Sequence, residues 1–433
     1  MGDDFDAIVV GAGMAGCAAA IRLAQAQQNV LLVERGAEAG VKNLSGGILW
    51  GHDLDQLLPN WSEEMPLERH IVQKRFGVLT DRHALSFLYQ DRRWRTPPYV
   101  AYAVLRARTD AWLARQAEAA GATVVTSVPV ERLNWEGSKV HGVVQGGEVL
   151  SAPVVLLCDG ANSRLALGTP IRPNPRLSGE ATELGIKEVY RLPPETIAER
   201  FGLGEGEGHA EEWVVAGFPK GVMAGGFLYT NRDTLSVGLI VNLQSLFGRG
   251  VYSYDLMEQF KLHPAIAPKI AGGELVEYGA KLISSGWASR PVSFFGDGWM
   301  VCGDAAGFVF SNGVVIQGMN YAVRSGIQAA ETAIGSKASG DYTRQGLSQY
   351  ERRLERAHVL ADFRDSAALD QVKWNPEVYG GYPRVLEAVY RRLRSPGDRS
   401  PMDLLAALRA AARAEAVSPS AMARDAVRLA RRG

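Results

Sequence analysis

Residues Asp6 to Arg35 carry the pattern that leaves this chain the fewest folds to choose from. An apolar run, Ala7 to Val10, stops at Gly11-Ala-Gly13-Met14-Ala15-Gly16; an alanine-rich helical pattern runs to Gln28; a second apolar run, Val30 to Val33, ends on Glu34. This order of strand, glycine turn, helix, strand and acid predicts a β-α-β unit that binds a dinucleotide. Gly11 permits the tight turn, Gly13 lets the backbone approach a pyrophosphate, and Gly16 lets the helix pack on the strand. The helix amino terminus, with Met14 and Ala15, turns unpaired N–H groups toward the phosphates. Glu34 stands where an acid accepts hydrogen bonds from an adenosine ribose, which favours NAD or FAD over NADP; Arg35 beside it blurs that exclusion.

At 433 residues the chain has room for two or three domains around a large core. Its 47 basic and 47 acidic residues create no field that would gather nucleic acid, so none is expected as a partner. Three cysteines, at 17, 158 and 302, make no disulfide framework and fall short of the four thiolates an iron-sulfur cluster takes, so they read as small buried hydrophobes. Acids at 3, 4 and 6 occupy the place where a signal peptide carries positive charge, which predicts a cytoplasmic location. No apolar run reaches the ~18 residues that span a bilayer, and any membrane contact is expected to be peripheral.

The segment from Gly36 to Gly51 reads as a glycine-rich loop at the ligand edge of the sheet, with Lys42 and Asn43 as donors. Ile71 to Thr80 and Leu85 to Tyr89 predict a strand pair turning at Asp81 and Arg82. Arg106 precedes an amphipathic helix carrying Trp112, Leu113 and Ala117, and Val124 to Val130 predicts a further parallel strand. A small meander broken at Gly137 and at Gly146-Gly147 follows, and then a buried strand ending at Asp159-Gly160. Between Pro170 and Phe295 the pattern becomes antiparallel: Trp213 to Phe218, Val222 to Thr230 and Thr234 to Asn242 read as strands, and Ser253 to Lys261 as a helix.

A third strand end follows at Cys302-Gly303-Asp304, and a helix is predicted from near Gly318 through Ile334. Asp304, among tiny residues, suits a ribityl hydroxyl, and the positive end of the helix suits the negative charge of a reduced flavin, so the site favours FAD over NAD. Helices are expected over Tyr350 to Asp365, Tyr382 to Arg394 and Met402 to Arg432. The last carries Arg409, Arg413, Arg424, Arg428, Arg431 and Arg432, a basic face that reads as solvated and that also suits anionic lipid.

These motifs resemble those of the electron-transfer flavoprotein:quinone oxidoreductase family, in its shorter FixC branch. The specific stretches are Lys42-Asn43-Leu-Ser45-Gly46-Gly47-Ile-Leu-Trp-Gly51-His52-Asp53-Leu-Asp55 and Gly185-Ile-Lys187-Glu188-Val-Tyr190-Arg-Leu-Pro193; the Gly11 turn with Glu34 and the Gly303-Asp304-Ala-Ala-Gly307 turn are shared more widely. The resemblance implies an α/β fold: a Rossmann-like FAD-binding domain of the hydroxylase type (residues 1–70, 100–170 and 290–340), an antiparallel second domain (71–99 and 171–289), and a helical region (341–433). Carried over by position, Gly13, Gly16, Glu34 and Arg35 would hold the ADP half, flanked by Arg106 and Val130 and supported by Asp159 and Gly160. Asp304 would hold the ribityl chain, and Ser45, Gly46, Gly47, Gly318, Met319 and Asn320 would frame the isoalloxazine ring. The family's longer members carry a cluster-binding cysteine region that is missing here. The FixC branch is similar in this respect, and the resemblance implies partners: electron-transfer flavoprotein subunits of alpha and beta type, a separate ferredoxin-like iron-sulfur subunit, and quinone, in an electron-bifurcating complex peripheral to the cytoplasmic face of the membrane. Nitrogen fixation is the process it suggests. A flavin relay needs no proton-abstracting side chain, and no general acid or base is nominated. The competing expectation is a reductase of isoprenoid double bonds similar to geranylgeranyl reductases, which share the first and last motifs; the Lys42 to Asp55 stretch argues against it. A flavin monooxygenase is a third.

Overall fold

The computed structural model describes residues 3–43, 47–219, 221–311, 316–367, 375–393 and 403–430. The first unit is the one the glycine pattern predicts: β1 (Ala7–Val10), α1 (Met14–Gln25) and β2 (Val30–Val33), with every residue of both strands buried. Strands buried on both faces are the mark of a parallel sheet covered by helices. The chain then crosses to a second sheet through β3 (Gly47–Trp50), the single turn α2 (Trp61–Glu64), β4 (Leu67–Leu79), β5 (Ala84–Gln90) and β6 (Ala101–Val104). It returns through α3 (Arg106–Ala119) to β7 (Thr123–Val125). A three-stranded antiparallel meander, β8 (Arg132–Glu136), β9 (Lys139–Gln145) and β10 (Glu148–Ser151), leads to β11 (Val155–Leu157).

The second sheet is completed by β12 (Thr182–Arg191), β13 (Glu207–Val215), β14 (Ala224–Thr230), β15 (Thr234–Asn242) and β16 (Glu274–Ser284). Helices α4 (Pro194–Phe201), α5 (Ser253–Leu262) and α6 (Ala267–Ile270) accompany these strands. The chain re-enters the first sheet at β17 (Phe295–Gly296) and β18 (Trp299–Val301), then forms α7 (Met319–Ser339). The first sheet has the order β17-β18-β11-β1-β2-β7, with β18, β11, β1, β2 and β7 parallel. The nine-stranded sheet runs β16-β12-β15-β14-β13-β4-β6-β3, with β5 paired to β4. One apolar core lies between the parallel sheet, α1 and α7; another lies between the nine-stranded sheet, α4 and α5.

Several expected boundaries move. The strand expected over Val124 to Val130 ends at Val125, because Ser127 turns the chain at φ 61° and Pro129 has no N–H for a ladder. The helix expected over Tyr350 to Asp365 breaks at His358, φ 60°, into Gln349–Arg356 and Val359–Ala367. The last helix breaks at Ala416, φ 54°, into Leu404–Ala414 and Pro419–Ala430; Arg431 and Arg432 lie outside the described residues. The structure adds strands β3, β6, β12 and β16 to those the sequence predicts. All three cysteines are free and buried. Among the described residues no helix is long and apolar enough to cross a membrane.

Candidate functional site

The carboxyl ends of β1, β11 and β18 meet at one edge of the parallel sheet, where a cavity of about 870 Å³ opens toward the nine-stranded sheet. Open α/β sheets bind ligands at this edge. At its floor, α1 packs so closely on the glycine turn that a Cβ on Gly16 would lie 1.9 Å from the Gly11 carbonyl oxygen. Gly11 itself adopts φ +104°, and a Cβ there would lie 2.4 Å from the Cys158 carbonyl oxygen. Gly13 differs, since a Cβ there would meet only side-chain nitrogens of Arg106 at 3.7 Å and Asn43 at 3.9 Å, on the cavity side. No acidic side chain stands in the first turn of α1, so its free N–H groups face the cavity uncompensated. Glu34 is fixed from both sides, one oxygen accepting from the Ala12 N–H at 3.0 Å and the other from the Gly36 N–H at 2.7 Å.

Asp159 and Asp304 end the two neighbouring strands. Burial pushes the Asp159 carboxyl up to about 6, against smaller pulls from a backbone N–H, Arg172 and Arg35. Its Oδ2 accepts from the Leu165 N–H at 3.4 Å, and its buried Oδ1 has no partner among the described residues. Burial also raises the Asp304 carboxyl, with Lys281 and Arg106 pulling the other way. A buried acceptor oxygen left open is the complement of a hydroxyl-rich ligand.

A hydrogen-bonded chain links the two sheets over this floor. The Lys281 ammonium on β16 donates to the Asn43 side-chain oxygen; the Asn43 amide donates to Asp110; and Asp110 takes a two-pronged bond from Arg106, 2.8 Å to each oxygen. Asp110 is wholly enclosed, and burial lowers the Lys281 pKa below the usual lysine value. Two cations are therefore held near Gly13, the position at which the glycine turn would present a diphosphate. The opposite wall comes from the nine-stranded sheet: Gly185 and Lys187 of β12, Glu212 of β13, Phe227 and Tyr229 of β14, Ile240 of β15, Leu282 and Ile283 of β16, and Lys74 of β4. Burial pushes Lys187 down to about 7, with Glu277 and Glu68 opposing.

Of the expected site residues, Gly11, Gly13, Met14, Ala15, Glu34, Arg35, Lys42, Asn43, Gly47, Arg106, Val130, Asp159, Gly160, Asp304, Gly318 and Met319 line this cavity. Gly16 is withdrawn beneath the turn. Gly303 packs toward Ala15 and donates its N–H to Ser325 at 2.9 Å. Asn320 is buried and turns its amide to Gln317 at 3.3 Å. Ser45 and Gly46 lie outside the described residues. Arg106 is the first residue of α3 rather than a residue ahead of it. The sequence reading missed the contribution of Lys74, Glu212, Tyr229 and Lys281. Lys187 stood in a quoted motif without a role.

Residues 6–99 match a family model described as FAD dependent oxidoreductase, and residues 182–283 match one described as ETF-QO, ubiquinone-binding. The chain is 39% identical over 392 residues to the probable electron transfer flavoprotein-quinone oxidoreductase YdiS of Escherichia coli K12, covering 90% of each protein. It is 40% identical over 394 residues to protein FixC of the same strain, again covering 90% of each. The chain belongs to the electron-transfer flavoprotein:quinone oxidoreductase family. It is a FixC-like, FAD-dependent oxidoreductase of that type. Among solved structures, a geranylgeranyl bacteriochlorophyll reductase-like protein from Thermoplasma acidophilum superposes with a TM-score of 0.70 at 17% identity, over 94% of this chain and 95% of that one. That likeness is one of fold.

The residues present fit the flavin that the family uses. The glycine turn, the open Asp159 oxygen, the Arg106 and Lys281 cations and the bare amino terminus of α7 at Gly318 match, in order, a diphosphate approach, a hydroxyl-rich segment, a dianion and an electron-rich ring.

Proposed function

We propose that this chain takes electrons from an electron-transfer flavoprotein and passes them toward quinone, via a separate ferredoxin-like iron-sulfur subunit when that subunit is present and directly within the one cavity when it is not. The observation that carries this reading is that both family matches contribute side chains to that one cavity: residues 6–99 supply the glycine turn, Glu34, Asn43 and Lys74, and residues 182–283 supply Gly185, Lys187, Glu212, Tyr229 and Lys281. FAD, when bound, supplies a redox centre that accepts and donates electrons singly or in pairs. Gly13, Arg106 and Lys281 would hold its diphosphate, Glu34 its ribose and Asp304 its ribityl hydroxyls, while the positive end of α7 at Gly318 and Met319 would favour negative charge on the ring. Division into a discontinuous FAD-binding domain, an antiparallel quinone-side domain and a helical region follows from the same assignment. The fuller form of the proposal is an electron-bifurcating assembly with two flavoprotein subunits, peripheral to the membrane and supporting nitrogen fixation.

Anaerobic mixing of the FAD-loaded chain with a reduced electron-transfer flavoprotein tests this. Bleaching of the flavin absorbance, followed by its return on adding quinone, is expected, with faster turnover when the iron-sulfur subunit is present. Failure of the flavoprotein to reduce the chain, together with reduction of an isoprenoid alkene by the chain alone, overturns the reading.

A further inference from the structure

Five residues face both the main cavity and an adjoining recess of about 80 Å³: Glu212, Phe227, Tyr229, Ile240 and Ile316. Four offer flat or branched hydrocarbon, with the rings of Phe227 and Tyr229 stacked at 5.1 Å, and the fifth is a carboxylate. Glu212 reaches this place through strand alternation, since its neighbour Glu211 turns to the far face, to His209 and Lys269. One Glu212 oxygen lies 3.1 Å from the Lys74 ammonium on the adjacent strand, and Lys74 also lies 5.6 Å over the Trp50 ring. The side chains of the pair remain 14% and 13% exposed, enough for water to exchange protons with them. Other titratable groups around Glu212 are Tyr229 from β14, Lys187 from β12, and Glu183 and Tyr379 at the recess. Burial raises the Glu212 carboxyl above its usual range, with Lys74 pulling it down.

We propose that Glu212 is the proton donor to one oxygen of a quinone head group seated among these five residues, with Lys74 holding the carboxylate that the transfer leaves. The inference rests on the quinone reading above and adds the acid that electron relay alone does not require. A quinone becomes a hydroquinone by taking up two electrons and two protons. It takes both electrons from reduced FAD. At the quinone oxygen that faces it the Glu212 O–H bond breaks as a quinone O–H bond forms, the Lys74 ammonium stabilises the carboxylate, and water at the recess reprotonates it; the far quinone oxygen takes the second proton from water.

The test compares reoxidation of the reduced, FAD-loaded chain by a short-chain quinone with reoxidation by ferricenium, which takes up electrons without protons. In Glu212→Gln the ratio of quinone rate to ferricenium rate falls at least about tenfold, through kcat rather than KM, and Glu212→Asp recovers part of it. In the wild type the quinone rate falls as pH rises through the Glu212 pKa. Lys74→Met removes the cation that lowers this pKa, so that limb moves to higher pH, a shift that lost packing would not cause. Infrared titration of the carboxyl, absent in Glu212→Gln, follows the same group without turnover. An unchanged rate ratio in Glu212→Gln, or an unmoved limb in Lys74→Met, overturns the inference alone. A wild-type chain that quinone does not reoxidise overturns the quinone reading and this inference with it.

Discussion

A methyl group added at Gly13 and one added at Gly16 separate ligand binding from folding within a single turn. At Gly13 the new Cβ meets Arg106 at 3.7 Å and Asn43 at 3.9 Å, ordinary contacts, so the empty chain accommodates it. Replacing a helix-capping glycine by alanine costs about 0.5 kcal/mol, which leaves the melting temperature of the empty protein nearly unchanged. The same methyl, however, stands between the backbone N–H groups of the turn and the diphosphate. Losing one charge-assisted hydrogen bond costs roughly 1.5 to 3 kcal/mol, which is a loss of about 10- to 150-fold in FAD affinity. At Gly16 the Cβ would sit 1.9 Å from a backbone oxygen that cannot move cheaply, so α1 must retreat from the sheet. Overpacking of this kind costs about 1 to 3 kcal/mol and lowers the melting temperature by about 1 to 3 °C even without flavin. Calorimetry of the empty variants, paired with FAD titration by fluorescence quenching, reads both effects. Gly13→Ala binding FAD within threefold of the wild type, or Gly16→Ala melting with it, refutes the assignment of the turn.

Three further outcomes follow from the buried charges. Asp110→Ala strands Arg106, whose side chain is 21% exposed, so unfolding in urea should show a loss near the lower end of the ~3 to 5 kcal/mol typical of a broken buried pair. Lys281→Met removes an ammonium that burial already disfavours; the empty chain should melt at or above the wild-type temperature while FAD binding weakens about tenfold, and a fall in melting temperature contradicts this. Asp159 carries a pKa of about 6 against an ordinary 3.8, so it binds its proton more tightly folded than unfolded. The Asp159 contribution to stability is therefore greatest below 3.8 and declines as pH rises to 6, by up to about 3 kcal/mol; the difference in stability between the empty wild type and the Asp159→Asn variant, followed by denaturant unfolding, should show this decline.

What the sequence disclosed was what local patterns encode. The glycine turn, α1 and Glu34 are contiguous, and their spacing alone predicts their geometry. Asp159 and Asp304 were recognised as strand ends because β11 and β18 are short, wholly apolar runs, and their adjacency to β1 follows from sharing one parallel sheet. The other wall was illegible for a physical reason. Strand β12 buries Glu183, Lys187 and Glu188, charges that read as surface until their surroundings are known, and β16 is exposed along most of its length. The bond between Asn43 and Lys281 joins residues 238 apart in sequence, a pairing that no local pattern records. The helix breaks at His358 and Ala416 use left-handed backbone at residues that give no warning of it, unlike the glycines that mark most such turns.

The most direct measurement is titration of the folded, flavin-free chain with FAD, followed by its absorbance and by the protein melting temperature. The account predicts protein-bound flavin saturating at one FAD per chain, a rise in melting temperature, and a displacement of both to about 10- to 150-fold higher FAD in Gly13→Ala. A chain that is folded by calorimetry yet retains no flavin after removal of free FAD, with no change in melting temperature across the titration, contradicts it.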